Sequence, residues 1–175
     1  MNENCILEVI AKLIANGLAS PETIVGCSEE ELNKLEQSCK IRLPRVYREF
    51  LLKMGHGAGN FLQGTDIFFN HNFFGNDFYE LQEAAKRLLI RNGNNFSLPS
   101  DAFVFSMHQG YQFNYFSLSR GDDPPVYFYE TRPEHCEKKW ETFSQFLLVS
   151  CEEEIRLDQL IRRMEKEKCE ALKLK

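Results

Sequence analysis

Apolar residues first recur at helical spacing in Ile6, Val9, Ile10, Leu13 and Ile14, and Gly17 follows where a C-terminal cap would sit. Ser28 then offers an N-cap, with Glu31 at the position that completes a capping box. Leu32, Leu35 and Glu36 carry this short second helix to about Ser38. Pro44 suits the first turn of a third helix, where its missing N–H costs nothing. Tyr47, Phe50, Leu51 and Met54 form that helix's apolar stripe, and Gly55 can end it in a left-handed conformation. Asp77 is placed to cap a fourth helix, with Leu81, Ala84, Ala85, Leu88 and Leu89 inward and Gly93 at its end.

The period then changes. Twelve of the 15 phenylalanines fall between Phe61 and Phe128, and aromatic side chains favour pleated, half-buried surfaces. Ala102 to Met107 alternates, which puts Phe103, Phe105 and Met107 on one face. Phe113 and Tyr115 alternate likewise, while Val126 and Phe128 separate from Tyr127 and Tyr129 onto two faces. Gln109-Gly110 and the Arg120-Gly121-Asp122-Asp123-Pro124-Pro125 stretch supply turns between these runs. The pattern predicts a three-stranded antiparallel meander. Ile67-Phe68-Phe69 adds a further strand, making about four, and helices cover one face in an α+β domain. Beyond it, Phe143, Phe146, Leu147 and Cys151 continue into Ile155, Leu160, Ile161 and Met164 at spacings of three and four. This segment runs to Lys175 without Gly or Pro, as one bent helix or two in series, and its final turns are too polar for a core.

Composition narrows the function classes. A chain of 175 residues with 43% apolar content fits one soluble domain. Its 26 acidic and 21 basic side chains, net −5, argue against a nucleic-acid partner, which would need clustered Lys and Arg. No basic-then-apolar leader opens the sequence, and no run nears the ~20 apolar residues of a membrane span. We therefore expect a cytoplasmic protein without a membrane partner. Six dispersed cysteines without a C-x-x-C pair suggest reduced thiols. The four histidines are equally scattered, and the adjacent His135-Cys136 does not resemble a zinc pair, so neither metal nor cofactor is expected.

Charge is unevenly laid along the chain. Residues 1–40 are rich in Glu, whereas Arg42, Arg45, Arg48 and Lys53 face only Glu49 in the next stretch. Two helices with solvated polar faces explain this, aided by Glu near a helix N-terminus. Alternatively, the acidic turn Ser28-Glu29-Glu30-Glu31 faces a cationic partner.

The succession from Glu30-Glu31-Leu32-Asn33-Lys34-Leu35-Glu36 to Ile41-Arg42-Leu43-Pro44-Arg45-Val46-Tyr47-Arg48-Glu49-Phe50-Leu51 resembles the SUKH superfamily. That group spans yeast cell-wall-synthesis regulators of the SMI/KNR type and many bacterial immunity proteins. The resemblance continues through Leu98-Pro99, Phe103-Val104-Phe105, the Gly110 turn, Asp122-Asp123-Pro124-Pro125-Val126-Tyr127 and Phe143-Ser144-Gln145-Phe146-Leu147. Two departures stand out. Met54 replaces the usual Asn before Gly55, and an acidic residue often present late in the second meander strand is absent from Phe116-Ser117-Leu118. The resemblance implies a single SUKH-like domain over 1–175, its core at about 25–150. Residues 1–24 would then be an N-terminal helical extension and 151–175 a C-terminal helical tail.

It also implies a non-enzymatic protein-binding role: an immunity protein that neutralises a cognate toxin domain, often a nuclease. A nuclease must be cationic, so an acidic inhibitor gains on-rate by steering. Asp122, Asp123 and Glu130, with Tyr111 and Tyr127, are the expected contacts, at the sheet's exposed edge. The competing reading is that Asp122-Asp123 merely build the turn before Pro124. A regulatory scaffold of the SMI/KNR type, acting through the long C-terminal helix, is the alternative function.

An unrecognised hydrolase is a remote third class. The glycines of Gly55-His56-Gly57-Ala58-Gly59 follow a helix without opening another, which suits a flexible cap better than a phosphate cradle. The best base for a Cys–His pair is His108, with Cys136 as the thiol to test, and Asp122 with Glu130 is an unsupported carboxylate pair.

Overall fold

The computed structural model describes residues 3–67, 77–93, 96–131 and 134–173. Its elements are helices α1 (Glu3–Ala15), α2 (Glu29–Cys39), α3 (Arg45–Met54), α4 (Asp77–Arg91) and α5 (Phe143–Lys173). Strands β1 (Ile24–Val25) and β2 (Gly57–Ala58) form a small antiparallel ribbon. A five-stranded antiparallel sheet runs in the order β3 (Thr65–Asp66), β4 (Ala102–His108), β5 (Gln112–Ser117), β6 (Val126–Thr131) and β7 (Glu134–Trp140). The α+β class and the meander are as the alternation implies. Of the Ile67-Phe68-Phe69 strand, Ile67 lies just past β3, while Phe68 and Phe69 fall outside the described residues.

The local chemistry explains the helices. Both bonds of the Ser28/Glu31 capping box are present at the start of α2. Pro44 stands at the N-cap of α3 rather than inside its first turn, and lends no side-chain cap. The orphan Val46 N–H instead donates to the carbonyl of Asp122, 3.0 Å away, so the turn before β6 finishes this helix. Gly55 does not close α3 in a left-handed conformation, because its φ is −64°. Glycine is needed there for space: a Cβ would fall 2.5 Å from Cys27 Sγ and from the Leu51 carbonyl oxygen. Nor is residues 55–59 a flexible cap, since β2 pairs with β1 through Ile24↔Ala58 and Val25↔Gly57.

The sheet separates two apolar clusters. On one face Phe103, Phe105, Phe116, Val126 and Trp140 pack with α1, α2, α3 and the first half of α5. Tyr47 of α3 is the hub, its ring 5.2–6.0 Å from those of Phe50, Phe103, Phe105, Phe116 and Phe143. On the other face Val104, Phe113, Tyr115 and Tyr129 pack under Ala85, Leu88 and Leu89 of α4. Helices thus cover both faces rather than one. Met107 joins this second cluster, away from Phe103 and Phe105. A β-bulge between Val104 and Ser106 is the reason, since one extra residue reverses which face the following side chains take.

The late apolar series forms one helix of 31 residues. Helix α1 runs parallel beside it: Cys5 Sγ donates to Ser144 O, Cys151 Sγ to Val9 O, and Gln159 Nε2 to Asn16 Oδ1. No helix among the described residues is long and apolar enough to cross a membrane. All six cysteines are free, and Cys5, Cys27 and Cys151 are buried.

Candidate protein-binding surface

The five residues expected to meet a partner fall into separate places. Tyr111 and Glu130 share one end of the sheet. Tyr111 sits after the Gln109-Gly110 turn, whose positive φ values of 47° and 72° tighten the β4–β5 hairpin. Its ring stands edge-on over His108 at 5.9 Å and is 38% exposed. Its carbonyl accepts the Thr131 N–H at 3.2 Å, which ties the turn to the end of β6. In the adjoining register pair, Gln112 Nε2 donates to Glu130 Oε1 at 2.6 Å. An aromatic ring and an acid are thereby held side by side.

Asp122 and Asp123 lie at the opposite end, the length of β6 away, about 17 Å at ~3.3 Å per residue. Asp123 Oδ1 accepts the Ser144 N–H at 2.9 Å and so caps α5. Asp122 uses its carbonyl on Val46 but leaves its carboxylate 68% exposed, 3.9 Å from Arg45 Nε. The Asp123 carboxylate thus serves the start of α5 rather than its own turn, while Asp122 keeps a charge at the surface. Tyr127 is on neither end; it stacks on Tyr115 at 5.1 Å, on the α4 side of the sheet.

These residues are not at the sheet's edge, because β6 is covered by β7. The sequence Glu-His-Cys-Glu-Lys-Lys-Trp hides that strand, since its charged positions suit an exposed edge and carry little strand propensity. Only the two-residue spacings of Cys136, Lys138 and Trp140 hint at it. His135 and Glu137, a pair 3.2 Å apart and both half exposed, extend the Tyr111–Glu130 end outward.

The acidic turn of α2 is largely engaged within the molecule. Arg48 Nη2 binds Glu29 at 2.6 Å and Asn33 at 3.0 Å, and its Nε lies 3.4 Å from Glu36. Arg48 holds the Glu29 carboxyl below its ordinary value. Glu31 is taken by Ser28 and by His56. Arg42, Arg45 and Arg48 with Glu36, Leu43 and Asp122 line a cavity of about 290 Å³ at this end. A larger groove of about 650 Å³ runs beside α4, walled by Leu89, Ile90, Phe96, Leu98 and Pro99. Ile90 on its rim is 79% exposed.

The suggested Cys–His pair does not form. His108 ends β4 and Cys136 lies on β7, with β5 and β6 between them. His108 Nδ1 meets Thr65 Oγ1 at 3.0 Å, and Cys136 Sγ lies 3.7 Å from the Tyr115 hydroxyl. Burial pushes the Cys136 thiol up, the reverse of an activated nucleophile. Asp122 and Glu130 sit at opposite ends and cannot act as a pair.

Residues 26–148 match the model of the SMI1 / KNR4 family (SUKH-1). The chain belongs to that family. No curated protein matches it. Membership supports a protein-interaction or immunity-type role for this SUKH-1 chain. The matched stretch takes in the sheet and α2 to α4, but not α1 or the part of α5 beyond Leu148. Two apolar surface features lie apart from the five expected contact residues. One is the groove beside α4, whose walls come from segments that meet only in the fold. The other is the outer half of α5, where Leu157, Leu160, Ile161 and Met164 are 46–59% exposed.

Proposed function

We propose that this SUKH-1 domain is a non-enzymatic immunity protein, which binds one basic toxin domain and silences it. Tyr111 beside Glu130 carries the reading. An exposed aromatic ring held by the hairpin, next to a fixed carboxylate, suits a centre of contact with a cationic partner. Asp122 adds a surface charge at the far end, and the net charge of −5 favours encounter with such a partner.

The test begins with the tagged chain in its native cell. The expected result is one stoichiometric basic partner whose toxic activity is silenced when the purified protein is added back. Tyr111→Ala with Glu130→Lys is expected to weaken that complex by about 2 kcal/mol, roughly thirtyfold in Kd. Unaltered affinity in the double variant removes this surface from the proposal. The absence of any toxic partner from cells that express one removes the immunity reading.

The outer half of α5 favours a second reading, a regulatory scaffold that docks partners on this helix. Loss of residues 153–175 separates the two: neutralisation survives under the first, and partner binding disappears under the second.

A further inference from the structure

Three side chains of metal-binding type converge at the start of α2. Cys27 precedes the N-cap, Glu31 is at the third helical position, and His56 follows α3. Their ligand atoms all lie within 4.8 Å of one another. His56 Nε2 is 3.1 Å from Glu31 Oε1. The backbone fixes both outlying members: Cys27 N–H donates to Leu51 O and His56 N–H to Val25 O, each at 2.8 Å.

We propose that Cys27, Glu31 and His56 bind a zinc ion, with water as the fourth ligand. Thiolate, imidazole and carboxylate are the donors zinc takes, and three protein ligands leave one position open. Bonds of about 2.0–2.3 Å in a tetrahedron separate the ligands by roughly 3.3–3.6 Å. The His56–Glu31 edge is already that short, and no other edge needs to close by more than about 1.5 Å, a side-chain rotation. Cys27 is 5% exposed, whereas the Glu31 and His56 side chains are 26% and 23% exposed, so the open position faces solvent on their side.

Charge and outer contacts suit the ion. One thiolate and one carboxylate neutralise its two charges, so the helix N-terminus meets no net cation. On coordination the Cys27 sulfur gives its proton to solvent and the ion sheds water for the three protein ligands. Glu31 Oε2 accepts from Ser28 N at 2.7 Å and Ser28 Oγ at 2.9 Å, while Oε1 faces His56. Outer hydrogen bonds of this kind orient ligating carboxylates. Gly55 completes the pocket, since any Cβ would displace the Cys27 sulfur.

The full chain, stripped of metal and kept reduced, is titrated with Zn²⁺ against a chromogenic chelator and with Co²⁺ under optical spectroscopy. One equivalent is expected to bind, with a thiolate-to-cobalt charge-transfer band and the intense visible bands of a tetrahedral site. Cys27→Ser is expected to abolish the charge-transfer band. His56→Gln weakens zinc binding by roughly tenfold or more, and Ser28→Ala by roughly 10–100-fold through the lost orientation of Glu31. Cys169→Ser, at an exposed thiol far along α5, leaves both signals unchanged. His56 is partly exposed and glutamine is close to it in size, so a folded His56→Gln chain that binds zinc like the wild type overturns the proposal. So does the absence of a saturable equivalent, or a cobalt spectrum without the thiolate band.

Discussion

The two halves of α5 share one sequence rhythm and have opposite surroundings. Phe143, Phe146, Leu147 and Cys151 are 0–4% exposed, whereas Leu157, Leu160, Ile161 and Met164, at the same spacings of three and four, are 46–59% exposed. The ring of Phe143 lies 5.2 Å from Tyr47 and Phe105 and 5.7 Å from Phe50. Among the described residues, the second half meets the end of α1, which stops at Ala15, and the turn after it, where Asn16 accepts from Gln159 and Gly17 lies beside Arg162. Periodicity therefore defines a helix face, and burial depends on what the fold sets opposite it. The inner half is held by the sheet. The outer half carries an apolar stripe that the described residues do not cover.

The largest expected effect sharpens this contrast at Phe143. Phe143→Ala empties a site that touches α3, β4 and β5 at once, so the chain is expected to lose about 3–5 kcal/mol, read as a lowered denaturation midpoint. Leu157→Ala and Ile161→Ala remove side chains of similar character from the exposed half. Each should change stability by no more than about 0.5 kcal/mol. A loss of several kcal/mol from either, growing with protein concentration, would break the comparison by showing the stripe to be covered by a second copy.

What the sequence reveals follows the same division. Helices α1 to α4 are legible from their apolar stripes, and the start of α2 also from end chemistry that acts locally, through Ser28 and Glu31. The meander is legible from alternation, until the bulge after Val104 sends Met107 to the other face. No residue type marks that bulge in advance. β7 is hidden because an edge strand can be charged, and Gly55 is misread because its need for space arises from Cys27, 28 residues earlier. The candidate sites divide likewise. Tyr111 and Glu130 stand out in the sequence as residue types, but the β5–β6 register sets them side by side. Cys27 and Glu31 are four apart in sequence, while His56 joins them only through the pairing of β1 with β2.

A far smaller effect than that at Phe143 lies where the inner face of α5 gives way to the outer. Glu154 is partly buried there, and burial, with the neighbouring Glu153 charge second, raises its carboxyl pKa. A raised carboxyl binds its proton more tightly in the folded chain than in the unfolded one. Stability is therefore lost as pH climbs from the ordinary glutamate value through the folded one, and the whole penalty is present at neutral pH. Glu154→Gln removes the charge and keeps the shape. We expect its melting temperature to exceed the wild type's by about 1–2 °C at pH 7, a shift below 1 kcal/mol for a domain of this size. The gap should close in acid, where Glu154 is protonated in both states. Equal melting at every pH would show that solvent already reaches this carboxylate freely, and would move the boundary between the two halves back toward Cys151.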